Sequence, residues 1–242
     1  MTLSNADCSA CIEMLFAPGS PDPARRIHLA HAAGYAGIEF WQWSNKNLAS
    51  IATALHETGL QVAGFCAEPM LSLNDPANHA TFLAALPASI ATAHHLGAPN
   101  LYIQGGSRRP GVPAADQSAA LVQVLTAAAT LLHGSGVTLL LEPVSDARDG
   151  FLTHAAQGLA IVAAVNRPEI RLLYDLFHAA VAGEDTAATI GSQIALIGHV
   201  HVADHPGRGA PGSGRLDLGR DIAWLQAQGY RGLLGMEYLP QT

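Results

Sequence analysis

Apolar, β-prone runs alternate with alanine-rich, helix-prone runs along the whole chain, and this alternation restricts the fold more than any other feature. Strand candidates lie near 9–16, 36–41, 60–66, 100–104, 137–142, 170–174, 197–202 and 233–237. Helical stretches lie between them near 23–33, 47–58, 76–96, 115–134, 153–165, 185–195 and 219–228. Asp22-Pro23 and Asp75-Pro76 each set an N-cap acceptor before a proline at a first helical position. Gly34, Gly59, Gly97, Gly136 and Gly229 fall just past helices, where a left-handed residue ends the last turn. Eight strands separated by seven helices require parallel strands joined by crossovers, in an open doubly wound sheet or a closed barrel. The count of eight and the length of 242 residues favour an α/β fold of the (β/α)8 type, as one domain over 1–242. Only five residues follow Glu237, so a full eighth helix is not expected. Strand 8 is then expected to lie open on its outer side unless a partner subunit or another segment covers it, a hint of a homo-oligomer.

Charge and cysteine content narrow the function classes. Twelve Lys and Arg against 19 Asp and Glu give a net charge of -7, and the basic residues form no dense run. Binding to a nucleic-acid backbone is therefore not expected. The three cysteines, Cys8, Cys11 and Cys66, are too few for a disulfide framework and fit a reducing cytoplasm. Cys8 and Cys11 lie three apart on the first strand, so they face opposite sides and read as packing residues rather than a redox pair. No basic leader precedes an apolar run, and no apolar stretch approaches the roughly 20 residues of a membrane span. The expectation is an unprocessed cytoplasmic protein with no membrane partner.

Barrel chemistry sits at the C-terminal ends of the strands. Four consecutive strand candidates end there in a metal-ligand type: Glu142, Asp175, His201 and Glu237. Their spacings of 33, 26 and 36 residues each match about one strand-helix unit. Three carboxylates brought to one rim repel and lose hydration unless a positive charge sits among them. The oxygen-rich set suits one Mg²⁺ or Mn²⁺ ion and could accept Co²⁺ or Zn²⁺. An open coordination sphere would leave room for two oxygens of an α-hydroxycarbonyl compound. His199, two residues before His201, should face the same side one layer deeper as a hydrogen-bonded core histidine. His178 stands one helical turn after Asp175, within reach of a substrate at the metal.

The segment from Gly198 to Gly214 carries both strand histidines into a Gly/Pro-rich loop with Asp204, His205 and Arg208, a loop suited to surround a small anion. Gly207, Gly209 and Gly212 match the spacing of a dinucleotide fingerprint, but Pro211 stands where its helix would open. Arg208 remains as a cation beside the proposed metal. Trp41, Trp43, Phe65 and Gln104 are candidates for the pocket wall, with core packing the equal alternative.

The run from His199 to Gly214, with Leu141-Glu142-Pro143, Tyr174-Asp175-Leu-Phe-His178 and Gly235-Met-Glu237-Tyr238, resembles the hydroxypyruvate isomerase family. That family belongs to the xylose-isomerase-like TIM barrels, beside the D-tagatose 3-epimerases. The likeness extends over nearly the whole chain, including Ser9 to Phe16 and Gly37-Ile-Glu39-Phe40. It implies that Glu142, Asp175, His201 and Glu237 bind one divalent metal, that Glu142 and Glu237 double as the acid/base pair, and that His178 and Arg208 contact substrate. Two positions depart from the family pattern: Ser145 stands where an asparagine is usual, and Cys66 where a histidine is frequent. The loop from Glu68 to Pro76 also differs, so the departures concern the substrate rather than the metal.

The expected reaction is an aldose-ketose-type isomerisation of a small hydroxy-oxo acid or ketose, foremost hydroxypyruvate to tartronate semialdehyde. Alternatives on the same scaffold are 2-oxotetronate isomerisation and ketose 3-epimerisation. A metal-dependent nuclease would need more His and acidic ligands and a basic groove, which the acidic balance opposes. A non-catalytic sugar-acid binding protein is the remaining class.

Overall fold

In a computed structural model of the protein, residues 4–145 and 148–240 are described. Eight parallel strands close into a barrel in chain order, with β1 pairing both β2 and β8. They are β1 Cys8–Cys11, β2 Gly37–Phe40, β3 Gln61–Cys66, β4 Asn100–Gln104, β5 Thr138–Glu142, β6 Ile170–Asp175, β7 Ile197–Val202 and β8 Leu234–Met236. The helices are α1 Pro23–Ala32, α2 Leu48–Thr58, α3 His79–Leu96, α4 Ala114–Leu132, α5 Ala155–Val165, α6 Leu176–Val181, α7 Thr186–Ile190 and α8 Leu218–Ala227. The (β/α)8 expectation is met, and the core that holds it lies between the strands' outer faces and the helix ring.

Local chemistry explains most boundaries. Asp22 accepts a bond from the Ala24 N–H with Pro23 in the first turn of α1, while Asn47 and Asp217 cap α2 and α8. Gly59 and Gly97 close α2 and α3 in the left-handed region at φ 71° and 68°. Three expected elements are shortened or divided. The first strand stops at Cys11, because the Met14 and Leu15 N–H groups both bond back to the Cys11 carbonyl and turn the chain away. The stretch at 76–96 opens as a 3-10 turn over Pro76–Asn78 before α3 begins. The stretch at 185–195 is cut by Gly191, leaving α7 and a 3-10 turn over Ile194–Leu196. The short helix α6 follows β6 without a break and has no separate signal in the hydropathy pattern.

The open outer side expected for strand 8 is not found. Leu234 and Met236 are buried, and Tyr35, Leu218 and Ile222 line the same groove as Met236. No helix follows β8 among the described residues. The membrane-span expectation also needs correcting. α4, at 19 residues, is long and apolar enough to span a bilayer, yet it buries Leu121, Val124, Leu125 and Leu132 in the barrel's helical layer.

Register carries the rim. Gln104 pairs level with Glu142, Asp175 with His201, and His201 with Gly235. On the adjacent strands β1 and β2, Cys11 is level with Glu39. Because side chains alternate across each strand, these rows send one set of residues into the barrel and the intervening apolar set outward into the core.

Candidate active site and metal centre

Glu142, Asp175, His201 and Glu237 converge. One ligand atom from each lies within 4.8 Å of the others, and all four residues are buried. Asp175 combines two roles. Its Oδ1 caps α6 by accepting from the Phe177 and His178 N–H groups at 2.7 and 3.3 Å, and its Oδ2 faces the cluster. His201 Nδ1 lies 3.1 Å from Glu237 Oε2 and 3.5 Å from Glu142 Oε1. This buried nitrogen makes no hydrogen bond of good geometry.

The opposite edge of the His201 ring explains its orientation. Nε2 is 2.8 Å from Glu39 Oε2, and His199 Nε2 is 3.1 Å from Glu39 Oε1. The Tyr102 hydroxyl donates to Glu39 at 3.0 Å, and the Ser9 hydroxyl donates to it as well. With a proton on Nε2 bonded to Glu39, the lone pair of the neutral imidazole stands on Nδ1, aimed at the carboxylates. Gly235 makes room for this network. A Cβ there would run into Glu39 Oε1 and stand 2.6 Å from His201 Cδ2 and 2.8 Å from His199 Nε2. Sequence reasoning placed His199 correctly as a bonded core residue but missed Glu39 as its partner. The one available signal was an acidic residue inside the short apolar strand from 36 to 41.

The electrostatics follow from burial and neighbours. Burial opposes charge on Glu39, but the imidazoles of His199 and His201 outweigh it and hold the carboxyl well below its ordinary value. Burial likewise opposes charge on Glu237, yet His201, Arg208 and the Trp41 N–H bring its carboxyl down to about 2. For His201, burial disfavours the imidazolium, and the surrounding Glu39, Glu237 and Glu142 more than reverse that, raising it well above the usual imidazole range. Surroundings that favour a proton on Nδ1 also favour a divalent cation beside it. Four carboxylates, Glu39, Glu142, Asp175 and Glu237, stand near one permanent cation, Arg208, so the donor set is short of positive charge. The three carboxylates and bare Nδ1 therefore fit one hard divalent ion. The group Glu39, His199 and His201 could also hold an ion by proximity, but its donors are already bonded to one another.

Arg208 reaches across the rim. Its Nη2 lies 2.7 Å from Glu237 Oε2 and 3.4 Å from Asp175 Oδ2, with the guanidinium over the Phe177 ring. Its backbone is held at φ 53°, an unusual conformation for arginine, and its carbonyl accepts from Leu239 N–H at 2.8 Å. The loop around it does surround an anion, but that anion is the chain's own Asp204. The buried Asp204 carboxylate accepts from the backbone N–H of His205, Gly212 and Leu216 at 2.8, 2.9 and 3.1 Å. These bonds outweigh burial and hold the carboxyl below its ordinary value. The fingerprint-like glycines thus shape a loop braced from within, leaving Arg208 to face the site.

A cavity of about 390 Å³ opens over the cluster, lined by Cys11, Glu39, Trp41, Glu142, His178 and Glu237 among others. His178 is buried with Nε2 3.6 Å from Asp175 Oδ2, and Ser145 Oγ donates to its carbonyl at 2.7 Å. Trp41 and Gln104 are wall residues as proposed: Trp41 Nε1 donates to Glu237 Oε1 at 2.8 Å, and Gln104 Nε2 approaches Glu142 Oε2 at 3.4 Å. Phe65 instead stacks on Phe40 in the core, and Trp43 turns its N–H to Ser89. Cys8 and Cys11 do face opposite sides, but Cys11 is more than packing. Its thiol, pushed well up by burial and by the neighbouring Glu237, stays protonated and donates to Glu237 Oε1 at 3.8 Å.

A family model described as a xylose isomerase-like TIM barrel matches residues 27–242. The chain belongs to that family. It is an isomerase of this xylose isomerase-like group. A Streptomyces coelicolor protein with hydroxypyruvate isomerase in its name is 32% identical over 232 residues, covering 87% of this chain and 83% of its own. The hydroxypyruvate isomerase of Escherichia coli K12 is 28% identical over 243 residues, covering 97% and 93%. Among solved structures of this xylose isomerase-like fold, a Brucella melitensis protein titled AP endonuclease, family 2 superposes with a TM-score of 0.89 at 25% identity, over 97% of this chain and 93% of that one.

Proposed function

We propose that the protein interconverts hydroxypyruvate and tartronate semialdehyde, using one Mg²⁺ or Mn²⁺ ion held by Glu142, Asp175, His201 and Glu237. The observation that carries this reading is the convergence of three carboxylates on Nδ1 of His201, a buried nitrogen with no hydrogen bond of good geometry, beneath a cavity open to a small molecule. The names of the relatives agree with it. When bound, the ion supplies a Lewis acid that polarises the substrate's carbonyl and hydroxyl oxygens and acidifies the C–H between them.

Glu142 and Glu237 are the proton carriers on either side of the substrate. One removes the proton from the hydroxyl-bearing carbon, giving a cis-enediolate, and a proton returns to the neighbouring carbon while the hydroxyl proton passes between the two oxygens. Trp41 and Cys11 both donate to Oε1 of Glu237, which fixes the orientation of its carboxylate at the edge of the cavity. His178 and Arg208 donate to the developing enediolate charge, with a contribution of about 3 kcal/mol for each well-aimed donor. The substrate is a small molecule, and the acidic balance and enclosed site suit a cytoplasmic enzyme without nucleic-acid or membrane partners.

Incubation in D₂O with Mg²⁺ or Mn²⁺ should exchange the α-carbon hydrogen of hydroxypyruvate, detected by NMR, and chelation should stop it. Glu142→Gln and Glu237→Gln should each lower turnover by about 10³-fold with the fold intact by circular dichroism. Near wild-type exchange in both variants would remove the proposed acid/base pair.

A further inference from the structure

Outside the metal chamber, a hollow of about 570 Å³ lies between the loops that follow β4 and β5 and the end of α6. Arg108, Ser145, Arg148, Asp149, Thr153 and His154 supply its polar wall. Most cations of this acidic chain face a carboxylate: Arg26 and Lys46 pair with Glu13, Arg109 with Asp75, Arg167 with Glu169, Arg208 with Glu237 and Arg220 with Asp185. Among the described residues Arg108 and Arg148 form no ion pair, and both line this one hollow. Asp149 is the single carboxylate on the same wall, so two guanidiniums stand against one negative charge.

The backbone holds these donors in place. Ser107 and Gly150 form an antiparallel bridge, the Arg108 N–H donates to the Asp149 carbonyl at 2.7 Å, and the Phe151 N–H donates to the Gly106 carbonyl at 2.9 Å. The Arg108 guanidinium lies 5.9 Å from the centre of the Phe151 ring, a contact that occupies none of its hydrogen-bond donors. Thr153 Oγ1 is 3.0 Å from His154 Nδ1, and a hydroxyl donating there leaves the proton of the neutral ring on Nε2. Two guanidiniums, an imidazole N–H and hydroxyls on separate segments suit an anion that accepts from several directions. A tetrahedral phosphate does so, whereas a planar carboxylate is satisfied by one guanidinium fork. The volume suits a small molecule, and the net charge of -7 opposes a nucleic-acid backbone. Ser145 joins the hollow to the active site, because its Oγ donates to the His178 carbonyl at 2.7 Å and lies 3.4 Å from His178 Nδ1.

We propose that this hollow binds the phosphate group of a small molecule, and that its occupancy is felt at His178 through Ser145. Neither statement depends on which reaction the metal chamber performs. The test is titration calorimetry of the Mg²⁺-loaded protein with inorganic phosphate, glycerol 3-phosphate, acetate and glycerol. Phosphate or its ester should bind, acetate at least about tenfold more weakly, and glycerol not at all. Arg108→Gln and Arg148→Gln, folded by circular dichroism, should each weaken phosphate binding by about tenfold, the usual loss for one charge-assisted bond. An ester that binds more tightly than inorganic phosphate makes a phosphorylated metabolite the occupant, and equal affinities make it free phosphate; both uphold the site. Phosphate held at the metal ion would bind both variants as tightly as wild type. That result, acetate binding as tight as phosphate, or no phosphate binding at all would overturn the proposal. The link to His178 is read by histidine-selective NMR, with the His178 resonance assigned by its loss in His178→Gln. Saturating phosphate should shift that resonance in the wild type and leave it in place in Arg148→Gln, and a resonance unmoved in both would overturn the link.

Discussion

The two halves of the barrel contribute to the site in different ways. Strands β5 to β8 each bring one residue of the candidate metal set to the rim, in an order readable from their spacing. Strands β1 to β4 bring none of that set. They supply Ser9, Cys11, Glu39, Tyr102 and Gln104, which bond to the second-half residues or to one another. The difference is one of exposure to the reaction. The second half presents donors to the cavity, and the first half fixes how those donors point. A supporting carboxylate can be as decisive as a ligand, because it sets which nitrogen of a histidine carries the proton.

The sharpest way to break this division is Glu39→Gln. The amide keeps the size of the side chain but replaces one acceptor oxygen with a donor, facing either His199 or His201. His201 would then lose the partner that leaves Nδ1 bare. Mn²⁺ affinity by titration calorimetry should fall by about 10- to 100-fold, although Glu39 is not itself in the four-residue set. Unchanged affinity would reduce the first half to packing and end the comparison.

The same division explains what the sequence made legible. Glu142, Asp175, His201 and Glu237 stood out because each ends an apolar strand, one strand-helix unit after the last, and the register of β5 to β8 preserves that order in space. Glu39 did not, because its partners lie 160 and 162 residues away and its strand is only four residues long. The loop after β7 was misread for a related reason. Glycines and prolines announced a turn around an anion, but not that Asp204, a member of the same loop, would be that anion. Strand count, parallel order and helix caps depend on short-range chemistry and were readable; cross-barrel bonds depend on closure and were not.

Asp204 gives the next test, now of stability rather than binding. Its carboxyl is held below the ordinary aspartate value by backbone N–H donors, so folding favours the ionised form. The stabilisation is full above the unfolded value of about 3.8 and is lost as pH falls through the lower folded value. Asp204→Asn should therefore cost about 2–3 kcal/mol near neutral pH, since bonds to a charged acceptor are worth about that much each and only part is kept by the amide. The gap in Tm between wild type and variant should stay level from neutral pH to about pH 5 and narrow below about pH 4. A gap that stays level through about pH 3 would mean that Asp204 braces the loop by shape and not by charge.

The smallest expected effect belongs to Trp41, which lies at the edge of the first half and is 45% exposed. Trp41→Phe removes the 2.8 Å bond to Glu237 Oε1 and leaves the Cys11 thiol as the remaining first-half donor to that oxygen. Because the donor ring is itself half-exposed, its bond to the buried Glu237 carboxylate contributes about 1 kcal/mol, so the variant should lose about fivefold in kcat/KM. The division between presenting and orienting residues predicts where that loss falls. If Trp41 only orients Glu237, kcat drops while KM for hydroxypyruvate holds. If its exposed ring instead packs on the bound substrate, KM rises while kcat holds, and the first half would then have to be counted as part of the binding surface.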